Sequence, residues 1–262
     1  MDITNNYVWQ TGDKGRENHF LLPKSIQGLL VGHTACGKST VMNNLLLQPK
    51  VLDYDHLMIF GNSLHQLEYR IMKAAFDKRL SKSQLQVLFR EQKRVNINGG
   101  PLKVINDYDG ECKGKISVTF YENCEDIPDP SSLEGNVKNC IVFDDCLMGP
   151  QQQISSYYSR GRHNGCSLVF YLSQSYFKIP RQVVRNNANF IILFRQGRKD
   201  LHHIFIDHVS MDDISYDSFV NDFCTPSWDS NKHAFITIDL TRTKYTGKYR
   251  RNLNQFWLPP TV

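Results

Sequence analysis

Residues 32–39 read Gly-His-Thr-Ala-Cys-Gly-Lys-Ser, a G-x-x-x-x-G-K-S spacing that no other part of the chain rivals as a constraint on the fold. An apolar run at 25–31 (SIQGLLV) leads into it, a helical stretch at 38–47 leaves it, and Pro49 stops that helix. A strand, a glycine loop and a helix in that order place backbone N–H groups and the positive end of a helix dipole around a phosphate-sized anion. The expected cradle is Gly32, His33, Thr34, Ala35, Cys36, Gly37, Lys38, Ser39 and Thr40, with His33 lending only its backbone. Lys38 is expected on the β- and γ-phosphates and Ser39 on magnesium, which makes ATP and Mg2+ the expected ligands.

A phosphate loop of this type needs a second oxygen donor for the metal, at the end of a neighbouring strand. Residues 139–145 (NCIVFDD) run four apolar side chains into paired acids. Asp144 is the expected magnesium carboxylate, acting through water, and Asp145 the group that polarises the attacking water. Residues 168–174 (LVFYLSQ) form a further apolar run ending in Gln174, a candidate sensor of the γ-phosphate or orienter of water. A rival acidic segment, 104–110 (VINDYDG), mimics a D-x-x-G turn, but no N-K-x-D base-reading motif follows it.

Apolar runs at 55–60, 116–121 and 190–194, alternating with helical stretches, predict parallel strands buried on both faces in a doubly wound sheet. Residues 64–90 read as one long solvated amphipathic helical stretch, 96–100 as a turn, and 233–240 as a half-exposed strand. The expected organisation is an irregular arm at 1–24, one domain at 25–240, and a basic, aromatic tail at 241–262. Lys244, Lys248, Arg250 and Arg251 make that tail a candidate nucleic-acid contact, although a solvated tail is the simpler reading.

Hydrophobic residues are 40% of the 262, enough for a sizeable core, and no stretch reaches the length of a membrane span. The net charge of +5 permits a polyanionic partner without requiring one. Seven cysteines without C-x-x-C spacing suggest reduced thiols in a cytosol-like compartment and no secretion.

Arg160 and Arg162, in Arg-Gly-Arg-His between the acidic run and the glutamine run, are candidates to neutralise transition-state charge, with Arg185 and Arg195 behind them. Their position predicts a site near the carboxyl edge of the sheet, facing away from their own phosphate loop.

The succession GHTACGKS, IVFDD, SRGRHNGCSLVFYLSQSYF and NNANFIILFRQ resembles the FtsK/HerA-type genome-packaging ATPases of large double-stranded DNA viruses, the poxvirus and Maverick/Polinton–virophage branches most of all. The resemblance runs over about residues 22–240. It implies an α/β P-loop NTPase of the additional-strand (ASCE, RecA-like) type, with a mostly parallel central sheet flanked by helices. It also implies an ATP-hydrolysing motor that drives double-stranded DNA into a viral capsid, through a homo-oligomeric ring of five or six subunits at the capsid vertex whose arginines act in trans. The implied location is the virion or the host-cell cytoplasm. Asp145 departs from the glutamate common in such ATPases, and Cys36 from the usual Ser or Gly, a change the backbone cradle tolerates. Alternatives are a helicase or conjugation-type translocase unconnected to a capsid, and a P-loop nucleotide kinase.

Overall fold

The computed structural model describes residues 18–95, 100–123, 125–134 and 136–259. Residues 1–17 of the expected arm and 96–99 of the expected turn lie outside them. Along the chain run β1 (Ile26–Val31), α1 (Lys38–Leu47), β2 (His56–Gly61), α2 (Leu67–Asp77), α3 (Lys82–Val95), α4 (Gly100–Asn106), β3 (Ser117–Tyr121), β4 (Asn139–Asp144), α5 (Gln151–Arg160), β5 (Leu168–Ser173), β6 (Phe190–Phe194), α6 (Arg198–His208), β7 (Phe235–Asp239), β8 (Tyr249–Arg251) and β9 (Gln255–Phe256).

Nine strands form one sheet in the order β3-β2-β4-β5-β1-β6-β7-β8-β9. The pairings from β3 to β6 are parallel and those from β6 to β9 antiparallel. The continuous apolar runs follow from layers on both faces. Strand side chains alternate, so Leu29 and Val31 of β1 enter one core while Ile26 and Leu30 enter the other. Each fully buried aliphatic side chain of this kind contributes about 1.5–3 kcal/mol.

The strand that separates the phosphate-loop strand β1 from the acidic strand β4 is β5, which follows both in sequence and ends at Gln174. Strands β2 and β3, which precede β4 in the chain, lie beyond it. This order is that of an additional-strand P-loop NTPase fold.

Four expectations are corrected. The stretch 64–90 is two helices, because the chain turns at Arg79, which takes a left-handed φ of 53°, and α2 and α3 then bury a small shared core with Ile105. Strand β7 is buried along its whole length, since both of its edges are paired and layers cover both faces. Residues 241–259 are no solvated tail, because they supply β8 and β9 to the sheet. Finally, Lys248 and Arg250 are buried and no surface for nucleic acid. The Arg250 guanidinium instead meets the buried Asp239 carboxylate at 2.5 Å and donates to Gly247 O and Leu21 O, while Lys248 Nζ lies 2.6 Å from Asp212.

Candidate nucleotide-binding site

The phosphate loop leaves β1 and enters α1 with two backbone demands. Gly37 has φ of 114°, a left-handed conformation that glycine adopts without strain. A Cβ on Gly32 would lie 2.6 Å from both Cys36 Sγ and Phe194 Cβ, so the loop closes only over a bare α-carbon there. The Lys38 ammonium donates to the carbonyls of Gly32 and His33 at 2.7 and 3.0 Å, which holds it across the mouth of the loop.

Strand β4 delivers Asp144 and Asp145 beside the loop through its pairing with β5, and the Asp145 N–H donates to Leu172 O. Burial raises the Asp144 carboxyl above the ordinary carboxylate range, although a hydrogen bond from the Tyr69 hydroxyl favours the ionised form. That tyrosine is buried on α2, and burial raises its own pKa well above that of a free phenol. Asp145 turns in a left-handed conformation, φ 56°, which Asp and Asn tolerate better than other side chains. Its carboxylate lies 3.5 Å from Gln174 Nε2, and the other end of that amide accepts from the Thr34 hydroxyl at 3.3 Å.

Loop, acid pair and glutamine thus converge on one cleft of about 910 Å³, lined by Thr34, Lys38, Ser39, Asp144, Asp145 and Gln174 among others. Ser39 and Asp144 face the cleft as one hydroxyl and one carboxylate, the hard oxygen donors that suit Mg2+ when phosphates and water complete its shell. A partly buried carboxylate carrying this desolvation is what a divalent cation would relieve.

The segment after Gln174 is anchored to α6. Asp200 accepts from the Phe177 N–H at 3.0 Å and from the Ser175 hydroxyl at 3.4 Å. Exposed cations adjoin these anchors in the chain: Lys178 and Arg181 follow Phe177, Arg181 pairing with Asp207 at 3.1 Å, and Arg198 and Lys199 precede Asp200, Lys199 lying 4.3 Å from the Phe177 ring centre.

Other expected residues fall elsewhere. Arg160 and Arg162 are exposed at the amino edge of the sheet, not the carboxyl edge, because α5 runs back from the end of β4 to the start of β5. Arg160 pairs with Asp129 at 3.1 Å, and neighbouring Gly165 O accepts from the first residue of β4, Asn139. Ten helical residues span about 15 Å, so neither arginine reaches its own phosphate loop. Arg185 is buried against Asp207, and exposed Arg195 pairs with Asp229. The rival segment 104–110 lies against α2 and α3, outside the cleft.

The remaining walls contain residues that sequence reasoning did not select. Ser63, Gln66 and Glu68, around the start of α2, flank Asp144; Asn231, His233, Asn252 and Gln255 line the opposite wall. No motif marks either group.

No protein-family model and no curated protein matches the chain. Among solved structures it is similar to the genome packaging NTPase B204 from Sulfolobus turreted icosahedral virus 2 in complex with ATP-gammaS, at 15% identity over 83% of this chain and 93% of that one, TM-score 0.45. It is similar also to VirB4 of Thermoanaerobacter pseudethanolicus, at 11% identity over 89% of each chain, TM-score 0.43. A third is the pCW3 conjugation coupling protein TcpA, at 12% identity over 88% of this chain and 60% of that one, TM-score 0.41. The fold assignment rests on the strand order and the phosphate loop.

Proposed function

We propose that this chain is an ATP-hydrolysing motor that translocates double-stranded DNA, and that its cargo is a viral genome entering a capsid during virion assembly. The observation that carries the hydrolytic part is the Gln174 amide spanning Thr34 of the phosphate loop and the Asp145 carboxylate. A phosphate-loop hydroxyl and a carboxylate able to polarise water then share one sensor, which suits cleavage of a terminal phosphate.

In this reading Lys38 neutralises charge on the β- and γ-phosphates, while Ser39 and Asp144 would hold Mg2+. That ion, when bound, offsets charge developing on the phosphoryl oxygens. Asp145 orients and deprotonates the attacking water, and Gln174 reports whether the γ-phosphate is in place. Because Asp200 ties Ser175 and Phe177 to α6, displacement of Gln174 moves the cationic loop beside it. Lys178, Arg181, Arg198 and Lys199 suit a polyanion gripped through its phosphates, without sequence preference. Arg160 and Arg162, beyond reach of their own cleft, serve a neighbouring copy in a ring. The motor acts in the virion or in the host-cell cytoplasm.

The test measures ATP turnover with and without long duplex DNA, alongside molecular mass in solution. Stimulation by DNA of any sequence together with a ring-sized species is expected. Turnover indifferent to DNA, with phosphoryl transfer to a nucleotide acceptor, would favour the kinase alternative.

A further inference from the structure

In the sheet order, Asp144 and Gln174 lie on the β5 side of the phosphate loop, and β6, β7 and β8 lie on the other side. A triphosphate whose γ-phosphate points to the acid pair and Gln174 must therefore lead its α-phosphate, and whatever it carries, toward β7 and β8. The cleft continues in that direction between Thr40 and Asn44 of α1 and a wall built by the segments flanking β7 and β8. We infer that this wall, formed by Asn231, His233, Asn252 and Gln255, is the nucleoside subsite, holding the ribose and base of the nucleotide.

The wall is built rather than incidental. Its two segments come from different turns, and the sheet locks them together. Asn252 sits in the turn after β8 with a left-handed φ of 52°, its N–H donates to Phe235 O at 2.8 Å, and its carbonyl accepts from the Thr237 hydroxyl at 2.6 Å. Its side-chain oxygen accepts the Phe235 N–H at 3.5 Å, which leaves the amide NH2 to donate. The loop before β7 is pinned from its other end. Asn231 Oδ1 accepts the His233 N–H at 2.9 Å, and His233 Nδ1 lies 3.1 Å from the carbonyl of Cys36 in the phosphate loop.

The chemistry fits a nucleoside. Three carboxamides line it: the NH2 groups of Asn231 and Asn252 are left to donate, and Gln255 offers a donor and an acceptor, the means to meet a base edge. An exposed imidazole beside them offers a hydrogen-bonding ring to ribose hydroxyls or a face to the base. Among the described residues no carboxylate lines this wall, whereas the opposite wall carries Asp144, Asp145 and Glu68. The C-terminal strands thereby become part of the ligand site, a role that the P-loop motifs do not assign.

The inference rests on the P-loop reading, so the test separates the two. Magnesium complexes of ATP and of inorganic tripolyphosphate are titrated by calorimetry into the whole chain and into Asn252→Gly, Gln255→Ala and His233→Ala. Glycine keeps the left-handed turn at 252. ATP should bind the wild type more tightly than tripolyphosphate. Losing one or two hydrogen bonds in the variants should weaken ATP about tenfold while leaving tripolyphosphate unchanged. Unchanged ATP affinity in the Asn252 and Gln255 variants, or equal losses for both ligands, would overturn the nucleoside subsite. A wild type that binds neither ligand would overturn the P-loop reading and the subsite with it.

Discussion

The Tyr69 hydroxyl, buried on α2, donates a hydrogen bond to Oδ2 of Asp144 at the end of β4, across 75 residues of chain. The aspartate that would meet magnesium is thus held by a tyrosine outside any recognised motif. Tyr69→Phe removes the bond and leaves the ring in the core. A hydrogen bond to a charged acceptor contributes about 1.5–3 kcal/mol, so the Mg2+ concentration giving half-maximal turnover should rise about ten- to hundredfold. The rate at saturating Mg2+ should change little. A variant with an unaltered magnesium requirement would show that Tyr69 does not position Asp144.

Burial raises the Asp144 pKa, and the sign of its effect on stability follows. The folded state holds this proton more tightly than the unfolded chain does. The cost of ionisation is therefore absent below the ordinary carboxylate range and complete above the raised pKa. Asp144→Asn should raise the melting temperature while abolishing turnover, and the gain should be larger at pH 7 than at about pH 3.5, below the ordinary carboxylate range. Equal melting curves at both pH values would place the carboxylate in a more solvated setting.

Lys38→Ala should abolish hydrolysis and weaken nucleotide binding together, because it strips positive charge from the phosphates. Asp145→Asn should instead keep binding and lose hydrolysis by two orders of magnitude or so, the scale of a lost general base. Asparagine also tolerates the left-handed backbone there, so folding is spared. If Asp145→Asn turns over normally and Glu68→Gln does not, the base is Glu68, the other carboxylate lining this side of the cleft.

Arg160 and Arg162 lie at the amino edge of the sheet, so a role at a nucleotide has to be played in a second copy. Mixing two inactive proteins, Lys38→Ala and Arg162→Ala (then Arg160→Ala), tests this. Interfaces that pair an intact phosphate loop with an intact arginine should recover activity, since one such guanidinium raises the rate about a thousandfold or more. Co-assembled mixtures that stay inactive at every ratio would remove these arginines from catalysis.

Arg250→Met should destabilise the protein by about 3–5 kcal/mol, because it removes the buried cation from the buried Asp239 and leaves that charge to the half-buried Arg242 and two hydrogen bonds from Thr241. Urea unfolding measures the loss. A stability within 1 kcal/mol or so of wild type would mean that the Arg250–Asp239 pair is not carrying the C-terminal strands.

The sequence by itself determined what is local. Eight contiguous residues define the phosphate loop, because a bare glycine, a helix start and a lysine at fixed offsets need only their own backbone. Apolar runs ending in Asp144–Asp145 and Gln174 marked strands and their functional ends, because strand side chains emerge wherever the strand stops. Tertiary structure alone decided what depends on strand order and crossovers. It put β5 between β1 and β4, so that Gln174 meets both Thr34 and Asp145. It also brought Tyr69 to Asp144, and Asn252 and Gln255 to the cleft, from distant segments, and carried Arg160 and Arg162 to the far edge along α5. The C-terminal cations show the reason most clearly. Lys248 and Arg250 read like solvated charges; Asp239 becomes the neighbour of Arg250 only when β7 and β8 pair, and Asp212 that of Lys248 only when the turn after α6 packs beside β8. Burial of a charge is a property of its partner, and partners distant in the chain are chosen by the fold.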